Sequence, residues 1–285
     1  MAVVDGGSAS TVNPVKPRSG PYVGAALPAS PVLLEARVMD HGPVTSEYLR
    51  LGLHAPAIAD LAQPGQFVML TVARDADTAP VLPRPMAIFR WERRTGRIEI
   101  VYRVVGEGTH RLSQWSVGQV IVTVGPLGRG FVIPSGTRRI VLLGRGIGTC
   151  SLTALAAVAA AQGVDVRALL SARHADALVG GDACRASGAR EVREVVDNDG
   201  SSDIGLVGAW LKERRALGVD QIYVCGSGRL LDLATATGVS VQVSLEAHMA
   251  CGIGYCHGCA SGHPGLGEES PLVCRDGPVF QLPAV

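Results

Sequence analysis

The chain has 285 residues, enough for a sizeable core and two or three domains, with 47% hydrophobic and 18% charged residues. Its net charge of +1 gives no electrostatic case for nucleic acid or an anionic membrane as partner. No apolar run reaches the roughly 18 residues that a transmembrane helix needs.

Residues 1–30 are rich in Gly, Ser, Pro and Ala and lack the apolar stretch of a signal peptide. They read as a flexible tail that buries too little to order itself. A cytoplasmic location follows, where thiols stay reduced. Residues 31–135 contain short β-like runs such as "LLEARVMD", "GQFVMLTVA", "IEIVYRVV" and "QVIVTVGPLG", broken by Gly and Pro. That pattern predicts an antiparallel barrel or sandwich.

The character changes in residues 136–245. "RRIVLLGRGIGTCSLTALAAVAAAQG" is a buried strand, a glycine turn and an alanine-rich helix, and "VDVRALLSAR" and "QIYVCGSG" are further buried strands. "LVGAWLKERRALG" has helical spacing with Gly218 as its stop. Strands alternating with helices predict a parallel sheet wound on both faces. Gly144, Gly146 and Gly148 lie between strand and helix, where phosphate binds, although tight packing also calls for glycine. Cys150, Cys184 and Cys225 read as buried thiols serving as small apolar side chains.

The last stretch, residues 246–285, holds "MACGIGYCHGCASG", with the spacing Cys251-x4-Cys256-x2-Cys259-x14-Cys274. A disulfide staple, a zinc site and an iron–sulfur cluster would each use such thiols, and reduced thiols argue against the staple. The spacing is that of plant-type 2Fe–2S ligands. Zinc sites favour paired C-x2-C units, of which only one is present, though a zinc knot stays the competing structural reading. Gly252, Gly254 and Gly258 let the loop curl and aim amide N–H groups at sulfur. Four cysteines complete the set, so His257 is expected to face solvent.

"SLEAHMACGIGYCHGCASG" and "PLVCRDGPVF" resemble the cluster domain of the electron-transfer subunits of NAD-linked, two-subunit dihydroorotate dehydrogenases, members of the ferredoxin-reductase superfamily. The resemblance extends upstream in the family's order through "RPMAIF", "IVYRVVGEGTHRLS", "VGPLGRGF", "GRGIG" and "YVCGSG", and covers residues 31–285. It implies an FAD-binding barrel, an NAD-binding α/β domain and a small cluster domain. The family's Arg-Pro-x-Ser motif falls on Arg84, Pro85, Met86 and Ala87, with the arginine suited to pyrophosphate. Its isoalloxazine strand falls on Val101, Tyr102 and Arg103, its phosphate turn on Gly108 and Thr109, and its nicotinamide-side turn on Cys225 and Gly226. Cys251, Cys256, Cys259 and Cys274 become the ligands of the 2Fe–2S cluster.

The resemblance also implies a path between NAD(H), FAD and the cluster, to or from an FMN-containing partner that oxidises dihydroorotate in pyrimidine biosynthesis, in a heterotetramer. Met249, Ile253 and Tyr255 are candidate contacts with that partner, or else pack within the loop. Three positions depart from the family: Ala87 replaces a serine, Arg145 replaces the middle glycine of the nucleotide turn, and Ser227-Gly228 replaces a proline-containing continuation. Two rivals follow, a stand-alone reductase for a soluble acceptor and a flavin–cluster relay that no longer binds NAD. Arg173 and Asp176 point oppositely on NADPH against NADH, since one suits a 2′-phosphate and the other a free ribose.

Overall fold

The computed structural model describes residues 30–73, 82–262 and 270–282. The expected tail, Ser30 apart, therefore lies outside the described residues. In β1 (Val32–Pro43), Leu33, Glu35 and Arg37 face outward while Ala36 and Val38 face inward, the period of a half-buried strand. It pairs with β2 (Tyr48–His54) and begins an antiparallel seven-stranded half-barrel with β3 (Phe67–Leu70), β4 (Arg84–Ala87), β5 (Arg90–Glu92), β6 (Arg97–Arg103) and β7 (Val120–Leu127). The strand order is β4-β3-β7-β1-β2-β6-β5. Leu51, Leu53, Ile98, Ile100 and Ile121 fill it, joined by Ile58 of α1 (Pro56–Leu61) and Leu112 of α2 (Glu107–Ser113).

The second sheet runs β10-β9-β8-β11-β12-β13, built from β8 (Arg139–Arg145), β9 (Asp165–Ala172), β10 (Glu191–Val196), β11 (Gln221–Cys225), β12 (Val241–Ser244) and β13 (Val279–Leu282). All neighbours are parallel except β12 and β13. Both faces are covered, as the unbroken apolar run of β8 requires. Ile140 and Leu142 pack with Leu152 and Leu155 of α3 (Thr149–Ala161) and with Cys184 of α4 (Gly181–Ala186). Val141 and Leu143 belong to the opposite core, with Trp210 and Leu211 of α5 (Ile204–Ala216) and Leu230 of α6 (Gly228–Thr235). The carboxylate of Asp203 caps α5 by accepting the N–H groups of Gly205 and Leu206, and the helix stops just before Gly218, whose φ is 82°. The half-barrel and the doubly wound parallel sheet are thus the fold that the strand and helix patterns predict.

Chain order reverses between β8 and β11, so the ends of these strands form a switch point, the usual ligand crevice of such sheets. After the cysteine loop the chain returns to the sheet as β13, pairing Val279 with Ser244. Cys259, Leu272 and Cys274 share a core with Phe67, Met69 and Leu127 of the half-barrel, so this segment has no separate core. No described helix is long and apolar enough to cross a membrane.

Candidate functional site

A cavity of about 660 Å³ opens where β4 and β6 meet the carboxyl ends of the parallel strands. Arg84, Pro85, Met86, Ala87, Val101, Tyr102, Arg103 and Thr109 border it from the half-barrel, and Gly146 and Gly226 from the α/β unit. Gly108, Gly144, Gly148 and Cys225 sit behind this wall and shape it through backbone packing. Tyr102 differs from its neighbours. Strand alternation sends its ring into the half-barrel core, where the hydroxyl hydrogen-bonds His41 Nε2 at 2.8 Å, so only its backbone can serve the cavity.

Arg84 and Gly108 are interlocked. A Cβ at residue 108 would come within 1.9 Å of Arg84 Nε, so the guanidinium lies directly against the start of α2. Arg84 Nη1 donates to Leu82 O at 2.8 Å. Thr109 Oγ1 fixes the adjoining turn, accepting the N–H groups of Val105 at 2.8 Å and Gly106 at 3.1 Å. Arg84 borders the cavity beside a turn whose Val105 and Gly106 amides are held by Thr109, and a forked cation of this kind suits a pyrophosphate.

At the switch point the two glycine turns pack backbone on backbone. A Cβ on Gly148 would lie 2.8 Å from Gly226 Cα, and one on Gly226 would lie 2.3 Å from Arg145 O. Gly148→Ala should therefore part the turns and abolish reduction by NADH while FAD content stays unchanged, which titration of the flavin absorbance against NADH would read. Arg145 does not fill the crevice. Its guanidinium grips Asp197 at 2.6 and 3.1 Å and donates to Ser171 Oγ at 3.0 Å. Arg173 borders the cavity, whereas Asp176 is exposed and does not.

The Arg145 fork, with Ser202 Oγ, holds the Asp197 carboxyl at about 2, down from 3.8. This contribution to stability is fully present above the unfolded value and disappears as pH falls from 3.8 towards 2. Urea titrations across that window should show a steeper loss for the wild type than for Asp197→Asn, and a modest one, because the pair is partly exposed.

The four cysteines form two pairs. Cys259 Sγ and Cys274 Sγ are 3.2 Å apart in the core, while the half-exposed Cys251 and exposed Cys256 share hydrogen bonds in the loop above. Backbone amides point at sulfur: Gly254 N–H reaches Cys274 Sγ at 3.1 Å, Cys256 N–H reaches Cys251 Sγ and Cys274 N–H reaches Cys259 Sγ, both at 3.4 Å. Burial raises the Cys251 thiol, but the N–H groups of Cys256, Ile253 and Tyr255 and the Cys256 thiol outweigh it and bring it to about 6. Among the described residues no group of three or more His, Cys, Asp or Glu gathers as for one ion. Two pairs of thiols suit two irons better than one tetrahedral zinc.

Gly252, with φ 70°, lets the loop lie on Met69, whose Cγ a Cβ would approach to 2.6 Å. Gly254 and Gly262 also have positive φ, but Gly258 does not, and the one left-handed residue other than glycine among the described residues is His257, exposed and with φ 58°.

Residues 246–285 match the family model of the iron-sulfur cluster binding domain of dihydroorotate dehydrogenase B. The dihydroorotate dehydrogenase B (NAD(+)) electron transfer subunit of Bacillus caldolyticus is 34% identical over 236 residues, 81% of this chain and 90% of that protein. Its namesake from Geobacillus thermodenitrificans is 33% identical over 249 residues, 86% of this chain and 95% of that one. The chain belongs to this family of electron transfer subunits. Its fold is that of the NADH-dependent reduced ferredoxin-NADP oxidoreductase, with TM-score 0.70 at 25% identity over 91% of this chain and 89% of that one. The ferredoxin reductase of carbazole 1,9a-dioxygenase gives 0.58 at 22% identity over 73% and 67%.

In this electron transfer subunit several site residues escaped sequence reasoning. Glu47 bridges the domains, taking His174 Nε2 at 2.8 Å and Arg103 Nη1 at 3.2 Å. Asp197 holds Arg145, and Glu246 lines the cavity. The first two join residues far apart in the chain, with no local signal. Glu246 lies in the quoted "SLEAHMACGIGYCHGCASG", where the cysteines and glycines were singled out and Glu246 was not.

Proposed function

We propose that the chain carries electrons between NAD(H) and a partner dehydrogenase subunit through FAD and a 2Fe–2S cluster. The observation that carries this is one cavity walled by all three parts of the molecule: the Arg84 strand, the glycine turns and the Leu245–Met249 strap that leads into the paired thiols. Arg84, the Gly108–Thr109 turn, Ala87, Val101 and Arg103 would hold FAD. Gly144, Gly146, Gly148, Cys225 and Gly226 would shape the nicotinamide side, and Cys251, Cys256, Cys259 and Cys274 would bind the two irons. When bound, a flavin exchanges a hydride with nicotinamide and single electrons with a cluster. The chain's residues would orient the two ligands across one seam, and they keep amides aimed at sulfur.

The working division is a barrel at 31–135, a nucleotide domain at 136–245 and a cluster segment at 246–285. A cytoplasmic location, where thiols stay reduced, suits a loop of four cysteine ligands. The partner is an FMN-containing dihydroorotate dehydrogenase subunit in a heterotetramer. It would meet the face where Tyr255, 86% exposed, and Ile253, 55% exposed, flank exposed Cys256. An anaerobic visible spectrum before and after NADH tests the reading. Flavin and cluster bands that bleach with NADH bear it out. Bands that do not bleach remove the nucleotide step, and a colourless, zinc-loaded chain overturns the whole.

A further inference from the structure

We infer that Arg275 raises the reduction potential of the cluster, as a cation beside the ligand Cys274 and as the strut that holds an amide on its sulfur. The inference rests on the cluster proposed above. Four thiolates make a 2Fe–2S cluster anionic, and each electron it accepts adds one negative charge. A nearby cation, or an N–H aimed at sulfur, therefore favours the reduced form. Arg275 supplies the first and secures the second.

Fixed charge is scarce around the thiols. Among the described residues between Ala247 and Leu282, Arg275 and Asp276 are the only Asp, Glu, Lys or Arg, and they directly follow Cys274. The Arg275 side chain lies against the loop that carries the other ligands. A Cβ on Gly254 would stand 2.8 Å from Arg275 Cδ and 3.0 Å from its Cβ. Gly254 is the residue whose N–H reaches Cys274 Sγ at 3.1 Å. Its φ of 84° belongs to the left-handed region, and the arginine stem fills the space that a side chain would need. Backbone and arginine thus fix this amide together.

Asp276 fixes the guanidinium in turn. Nε donates to Oδ1 and Nη2 to Oδ2, both at 3.0 Å, a two-pronged fit. Oδ2 also accepts the N–H of Leu272 at 2.8 Å, so the anion is anchored to the turn that carries Cys274. The cation reaches over the loop while the anion stays on the turn, so the two charges act on the cluster from different places. Arg275 is 44% exposed, so water and salt soften its field without removing it. Arg129, whose backbone bridges to Pro278, is a further cation within reach of Asp276 and is unchanged in the variants below.

The test is a redox titration of the full chain loaded with FAD and cluster, followed by electron paramagnetic resonance after iron and sulfide analysis has fixed the cluster content. In Arg275→Gln the ratio of reduced to oxidised cluster at a set potential should fall about three- to tenfold, or about 30–60 mV at 59 mV per tenfold for one electron. Asp276→Asn keeps an acceptor for Leu272 N–H and should move the ratio the opposite way. Arg275→Lys keeps the charge and should stay within about twofold of the wild type. The gap between the wild type and Arg275→Gln should narrow in high salt. A loop disturbed without regard to charge would shift the Gln and Asn variants in the same direction and ignore salt. That pattern, or an Arg275→Gln titration that overlays the wild type, overturns the assignment. If Arg275→Gln does not hold its iron, Asp276→Asn decides: a raised potential that relaxes in high salt supports the role, and an unchanged or lowered one overturns it. A wild-type chain that takes up no iron and sulfide overturns the cluster reading itself, which separates the two failures.

Discussion

Cys259→Ser is expected to remove the cluster outright: iron should fall from about two atoms per chain to near none, with loss of the visible absorption. Cys259 and Cys274 are 3% and 2% exposed and share a core with Phe67, Met69, Leu127 and Phe280. Ionised thiolates are costly there without a metal. In the metal-free chain both burial and the adjacent Cys259 thiol raise Cys274 to about 12, so iron must displace its proton. A serine oxygen is a harder ligand, with a far higher proton affinity than a thiol, and cannot replace sulfur in that exchange. Because ligand binding and local folding are linked, the melting temperature should fall with the iron. Cys256→Ser should also lose iron but disturb the apo fold less, because Cys256 is exposed. His257→Ala should keep full iron, since His257 points to solvent. Iron and sulfide analysis alongside thermal melts checks all three, and full iron in Cys259→Ser would remove that residue from the ligand set.

The cysteine spacing was legible because the chemistry concentrates four thiols in a short stretch. The strands were legible because a half-buried strand must alternate, as β1 does, and a doubly covered one must not, as in the "IVLL" of β8. The same alternation in "VYR" could have shown that Tyr102 turns away from Val101 and Arg103. Gly252, Gly254 and Gly258 were expected to let the loop curl; the first two do so at positive φ, whereas beside Gly258 it is His257 that takes the left-handed conformation, at φ 58°. Such conformations depend on how the loop packs on Met69 and Arg275, which composition does not encode. Arg145 stands where the family has a glycine, and nothing local in the sequence says where its side chain goes. Its partner Asp197, 52 positions away, settles its direction, and the two meet only because the sheet sets the ends of β8 and β10 on either side of β9. The return of the chain as β13 was likewise invisible, because a four-residue run such as "VFQL" fits a loop anchor as well as an edge strand.

Arg84→Ala should weaken FAD binding by about 10- to 100-fold, the loss of one or two charge-assisted hydrogen bonds at about 1.5–3 kcal/mol each, only part of which appears as net affinity. Gly108→Ala reaches the same end from the other side. Its methyl would stand 1.9 Å from Nε and 2.5 Å from Cζ of Arg84, so the guanidinium has to leave the turn. At Gly108 the neighbour is the far end of a flexible side chain, so the fold should survive and only the geometry of the anion site should be lost. The two substitutions should therefore not add: once Arg84 is alanine, the three atoms nearest the Gly108 methyl are gone, and the double variant should bind FAD about as well as Arg84→Ala alone. Thr109→Val would differ, because Oγ1 accepts two backbone N–H groups that would be left unpaired, and it should lower stability as well as affinity. Fluorescence titration of each variant with FAD measures the binding losses, and a thermal melt of the apo chain separates them from unfolding. Additive losses for Arg84→Ala and Gly108→Ala would show that the arginine and the turn act on different parts of the ligand.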